Sequence, residues 1–91
     1  MQFEWDPEKA KANLKNHRIS FHEAQTVFDD PHYVKFADPD HSIREHRFIV
    51  IGESNKNRLP VVSYTERSLA TRLISARKAT RAERTNYEEE I

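Results

Sequence analysis

The chain has 91 residues, a third of them charged, with 15 basic and 15 acidic side chains and no net formal charge. That length builds one domain, 1–91, with a modest core. Cysteine is absent, which excludes disulfides, thiolate nucleophiles and Cys-type zinc sites. Met1 is followed by Gln2-Phe3-Glu4-Trp5-Asp6 rather than a basic and then apolar leader, and no run nears the roughly 18 apolar residues of a membrane helix. A soluble, cytoplasmic protein with no membrane partner is expected.

Phe3-Glu4-Trp5 alternates and reads as an edge strand or extended lead-in. Asp6 then opens a first helix by accepting from first-turn amides, with Pro7 at the first helical position. This helix runs to about His17 and turns Ala10, Leu14 and His17 inward. Ser20-Phe21-His22-Glu23 is a capping box that starts a second helix, with Phe21, Ala24, Val27 and Phe28 on one face. Asp29-Asp30-Pro31 ends it, because proline disfavours a helical residue before it. The pair makes a helical hairpin.

From His32 the period changes to two. His32 to Phe36 predicts a strand, closed by the turn Asp38-Pro39-Asp40. Arg47 to Gly52, apolar on both faces, predicts a central strand. Leu59 to Glu66 and Leu69 to Ala76 follow as third and fourth strands, bent at Arg67-Ser68. Short connections predict an antiparallel meander, and Pro60 leaves the third strand unpaired on its amide side where it starts. Thr80-Arg81-Ala82-Glu83, a second capping box, opens the last helix. Its apolar face is thin (Ala79, Ala82, Tyr87), and Glu88-Glu89-Glu90 at its end opposes the helix dipole. The fold class is α+β.

Charge is unevenly spread. Residues 1–45 carry six basic and nine acidic side chains, and residues 46–91 carry nine and six, so the halves stand at −3 and +3. Between Lys56 and Arg84, eight basic residues meet two acids, Glu66 and Glu83, a local balance of +6. A basic hairpin feeding a basic helix is a phosphate-binding platform; a solvated, charge-rich surface is the plainer alternative. Alternation in the fourth strand puts Thr71, Leu73, Ser75 and Arg77 on one face and Arg72, Ile74 and Ala76 on the other. Arg72 is then either a snorkelling arginine paired with Glu66 or Glu53, or a rigid guanidinium aimed at phosphate. Its neighbours Arg67, Arg77 and Lys78 favour the second reading.

The five histidines (His17, His22, His32, His41, His46) match no zinc-binding spacing, so neither metal nor cofactor is expected. His17, at a helix end, could bind phosphate or act as an acid, or only plug the core beneath it. No Ser-His-Asp order appears, and a single glycine argues against glycine-rich phosphate loops.

Several pieces resemble, in order and over nearly the full length, the BrnT toxins of bacterial type II toxin–antitoxin pairs. They begin with Phe3-Glu4-Trp5-Asp6-Pro7, Lys9, Ala10, Asn13, His17, Phe21, Glu23 and Ala24, then Val27-Phe28-Asp29-Asp30-Pro31. Tyr64-Thr65-Glu66-Arg67, Ile74-Ser75-Ala76-Arg77-Lys78-Ala79, Glu83-Arg84 and Tyr87-Glu88 complete the set. The resemblance implies a RelE-like fold, with an N-terminal helical hairpin and a C-terminal helix packed on one antiparallel sheet of about four strands. It also implies a ribonuclease that blocks translation, neutralised by a BrnA-type antitoxin whose other end binds operator DNA. One position departs: the family usually has Lys-His-Gly where this chain has Asn16-His17-Arg18. Glycine suits a left-handed helix cap, so Arg18 must take another geometry or accept strain.

Two functions follow. The first is a metal-independent endoribonuclease in which a 2′-hydroxyl attacks the adjacent phosphate. Arg67, Arg72 and Arg77 would stabilise the developing charge, and Glu66, His17 or Tyr64 would move the proton. Lys78, Arg81, Lys56 and Arg58 would hold the RNA backbone. The alternative is a non-catalytic RNA- or protein-binding module using the same basic face, with salt-sensitive binding and no cleavage.

Overall fold

In chain order the elements are β1 (Phe3–Glu4), α1 (Pro7–His17), α2 (Phe21–Thr26), a 3₁₀ turn (Val27–Asp29), β2 (Val34–Ala37), β3 (Arg47–Ile51), β4 (Pro60–Glu66), β5 (Thr71–Lys78) and α3 (Arg81–Glu89). They are seen in a computed structural model that describes residues 1–38 and 46–90. Most of the turn expected at Asp38-Pro39-Asp40 lies outside the described residues, as does His41.

Local chemistry sets the helix starts. An Asp6 carboxylate oxygen accepts the Glu8 N–H at 2.9 Å, and Ser20 Oγ accepts that of Glu23 at 3.0 Å. Both halves of the Thr80–Glu83 box form, at 3.2 and 2.8 Å. The Ser20 box is only half made, because the buried Glu23 carboxylate turns to Arg58 and Ser54 instead. The second helix also ends earlier than expected, tightening into the 3₁₀ turn after Thr26.

The sheet has five strands in the order β1-β5-β4-β3-β2, rather than about four. β2 to β5 form the expected antiparallel meander, but β1 adds parallel to β5, so the sheet is mixed. The fourth strand starts at Thr71, two residues late, leaving Leu69 in an exposed turn. β3 is interior, yet the middle of the sheet is β4. β3 stops opposite Val61, so Pro60 has no partner there and its missing N–H costs nothing.

A β-bulge corrects the expected phase of β5. Ser63 pairs Ser75 while Tyr64 pairs Leu73, so Ile74 has no counterpart on β4. One extra residue inverts the alternation beyond it. Leu73 and Ala76 therefore share one face with Val62 and Tyr64, and Arg72 and Arg77 share the other with Thr65 and Val61.

Helices cover both faces, which also departs from expectation. α1, α2 and the 3₁₀ turn pack on the first, where Ile19, Phe21, Ala24 and Val27 meet Val50, Val62, Tyr64 and Leu73. α3 crosses the second, with Tyr87 on Ile51, Leu59 and Val61. On the first face Gly52 permits the close approach of the 3₁₀ turn: a Cβ there would lie 2.8 Å from Val27 Cγ1.

α1 turns a different stripe inward from the one expected. His17 is exposed and Leu14 half-exposed, whereas Asn13 is buried with Ala10 beside the core. The reason is a backbone debt at the margin of β5. β1 covers only Thr71 and Arg72, so Ala76 lies beyond its end. Asn13 completes that edge: its Oδ1 accepts the Ala76 N–H at 3.0 Å, and its Nδ2 donates to the carbonyls of Ala76 at 2.8 Å and Ile19 at 2.9 Å.

Arg18 resolves the departure from the family pattern by adopting the glycine geometry, with φ 61° and ψ 24°. Its N–H closes the helix on the Leu14 carbonyl at 2.9 Å. A Cβ in this region is strained, so Arg18→Gly is expected to stabilise the fold by about 0.5–1 kcal/mol. Thermal denaturation would read this as a rise of several degrees; an unchanged or lower midpoint would mean that the Arg18 side chain stabilises more than the strain costs.

Candidate functional site

Strand register places the second face of the sheet in three transverse rows. Glu4, Arg72, Thr65 and Arg47 form the first, across β1, β5, β4 and β3. Ser75, Ser63, Ile49 and Phe36 form the next. Arg77, Val61, Ile51 and Val34 form the third, where α3 lies. Only the first row joins basic, acidic and hydroxyl side chains.

Rigid strands present that row. Arg72 Nη1 and Arg67 Nε both lie 3.7 Å from one oxygen of Glu4. These are loose ion pairs, longer than a hydrogen bond. Arg67 reaches the row from the β4–β5 turn, where its N–H and carbonyl pair with Ala70. Thr65 lies between Arg47 and Arg72 with its hydroxyl buried and, among the described residues, without a hydrogen-bond partner. Such a group normally finds one, so the row holds a buried hydroxyl whose hydrogen bonding is unmet.

The other expected site residues lie elsewhere. Arg77 shares the face of Arg72 but sits five residues further along β5, on the order of 15 Å away. Its guanidinium grips Glu83 through two hydrogen bonds of 2.7 and 2.8 Å, tying β5 to the first turn of α3. The Arg77 hydrogen bonds, with those from Thr80, hold the Glu83 carboxyl down at about 2. Being depressed in the fold, Glu83 adds stability above pH 4.5, and that stability disappears as pH falls toward 2. A Glu83→Gln variant should melt below the parent at neutral pH, and the gap should narrow from pH 4.5 downward. A constant gap would show that the ion pair is not its source.

Tyr64 is on the helix face, packed between the Phe28 and Phe48 rings at 5.0 and 5.7 Å, and burial pushes its phenol up. Glu66 is on that face too, where the Lys35 ammonium reaches it at 2.7 Å and lies over Phe48. His17 ends α1, which packs on the opposite side of the sheet from the row. None of the three is on the face of Arg72.

Of the expected RNA-binding residues, Arg58 is engaged in the fold. It grips Glu23 through two nitrogens and donates to the Arg18 carbonyl at 2.9 Å. This clamp holds the buried Glu23 carboxyl below its usual range despite the cost of burial. Lys56, Lys78 and Arg81 are exposed at the end of the sheet where β4 starts and β5 finishes. The structure thus has basic groups at both ends of β5, with Arg67 and Arg72 at one and Lys78 and Arg81 at the other.

Nothing local in the sequence singles out Glu4, which only the parallel pairing of β1 with β5 brings beside Arg72. Ser63 and Thr65, alternating with Val62 and Tyr64, were the available signal of a polar face. Among the described residues no group of His, Asp or Glu is arranged to hold a metal ion, and no helix is long and apolar enough to cross a membrane.

The fold resembles a crystal structure of the Brucella abortus ribonuclease toxin BrnT with a TM-score of 0.70. That match spans 89% of this chain and 99% of the other at 23% identity, a likeness that speaks to fold alone. No curated protein sequence matches. Residues 5–83 match the family described as the ribonuclease toxin BrnT of type II toxin–antitoxin systems. With that match over most of its length, the chain belongs to the BrnT family of ribonuclease toxins, and its partner is an antitoxin.

Proposed function

We infer that this chain cleaves RNA on the open face of the sheet, at the row formed by Glu4, Arg72 and Thr65 with Arg67 at its edge. One contrast carries the reading. Arg77 and Arg58 are each committed to a carboxylate through two nitrogens, while among the described residues Arg67 and Arg72 meet only Glu4, at 3.7 Å. Their N–H groups remain available to phosphate oxygens, which a guanidinium binds in a planar fork.

In the proposed reaction the 2′-oxygen attacks the adjacent phosphorus and the bond to the 5′-oxygen breaks. Glu4, on the same face, takes the 2′-hydroxyl proton, and the leaving oxygen takes one from water. Arg67 and Arg72 meet the charge that grows on the non-bridging oxygens. Lys78 and Arg81 hold the RNA backbone as it leaves along β5, while Arg77 positions α3. The step requires no metal. Translation falls as messages are cut, and a BrnA-type antitoxin that binds operator DNA through its other end restrains the toxin.

The test is cleavage of a defined RNA by the purified chain in the presence of a chelator. Products ending in a 2′,3′-cyclic phosphate and a 5′-hydroxyl are expected. Salt-sensitive binding with the RNA left whole would establish the non-catalytic module instead.

A further inference from the structure

β2 is the last strand of the sheet, and among the described residues no strand covers its outer edge. A free edge is a template for another chain. Beside it runs a groove between β2 and α3, floored by Val34, Phe36, Ile51 and Tyr87 and rimmed by Glu89 and Glu90. Phe36 is 44% exposed there, large and apolar on a mainly polar surface. α3 has no basic residue in its last turn, so its terminal carboxylates face the negative end of their own helix. Among the described residues the groove therefore lacks three things: backbone partners, apolar cover and positive charge.

We propose that the groove between β2 and α3 docks the antitoxin through an extended segment that adds a strand to β2. This rests on the toxin reading above, since the antitoxin is the partner the family supplies. The segment's alternate side chains are apolar and fill the space over Phe36 and Tyr87. Lysine or arginine beside them meets Glu89 and Glu90 and relieves the unfavourable end of α3. An extended segment fits better than a helix because only a strand supplies the hydrogen bonds the edge lacks.

Calorimetry on the purified chain and the antitoxin product of the adjoining reading frame tests this. Phe36→Asp should weaken binding by roughly thirtyfold or more, as loss of a buried anchor does. The double variant Glu89→Lys, Glu90→Lys, which alters only exposed residues, should weaken it on the order of tenfold, most at low salt, and still cleave RNA. Amide exchange at residues 34–37 should slow in the complex. If the parent chain binds and both variants bind as tightly with exchange unchanged, the groove assignment falls alone. If the parent does not bind this antitoxin, the assignment falls together with the toxin–antitoxin reading. Self-association of the chain through this edge, abolished by Phe36→Asp, would also overturn it.

Discussion

Arg72→Ala is expected to lose roughly a hundredfold or more of RNA cleavage while leaving the melting temperature almost unchanged. The activity loss follows from removing a pre-aimed donor from the charge that grows on phosphate, which typically costs about 3–4 kcal/mol in the transition state. The small stability effect follows from what Arg72 does in the fold, where among the described residues its one ion pair is a 3.7 Å contact with a half-exposed Glu4 carboxylate. Such pairs contribute less than about 1 kcal/mol. Arg77→Ala should behave in the opposite sense. It strips the two hydrogen bonds that fasten Glu83, so its principal effect is a looser α3 and a lower melting point. Single-turnover cleavage and thermal denaturation of both variants separate these roles. Full activity in Arg72→Ala would remove that arginine from the site.

The second large effect concerns stability. Asn13→Ala orphans the N–H and carbonyl of Ala76 and the carbonyl of Ile19. Each buried, unsatisfied group costs about 1–3 kcal/mol, and with some water entering the gap a total of about 3 kcal/mol is expected. For a domain of this size that lowers the melting temperature by roughly 12–20 °C. Asn13→Asp is informative because it keeps the acceptor but loses both donated bonds and sets a carboxylate against two carbonyl oxygens. It should be at least as damaging as alanine. A melting point within a few degrees of the parent for either variant would show that Asn13 does not hold the edge of β5.

What the sequence reveals here is mostly what neighbours in the chain decide. Asp6, Ser20 and Thr80 cap their helices through bonds spanning two or three residues, and the meander follows from period-two runs with short turns. The facing of β5 turns on a single residue. Strict alternation separates Arg72 from Arg77, and the bulge at Ile74 reunites them; nothing local announces that Ile74 is the extra residue. Fold-wide pairing hid the rest. Arg58 reads as one more basic residue until Glu23, 35 positions away, is seen to hold it. His17 fits a helical stripe as well as Asn13 does, and only the uncovered edge of β5 chooses between them. The parallel strand β1 and the placement of α3 on the second face are also long-range outcomes.

The central claim, an RNA-cleaving face centred on Arg72, is tested most directly by inducing the chain alone in bacteria and following growth and RNA integrity beside Arg72→Ala. Growth arrest with fragmented RNA, both abolished in a variant that folds normally, is the predicted result. Continued growth with intact RNA, in cells that accumulate the folded parent chain, would contradict it.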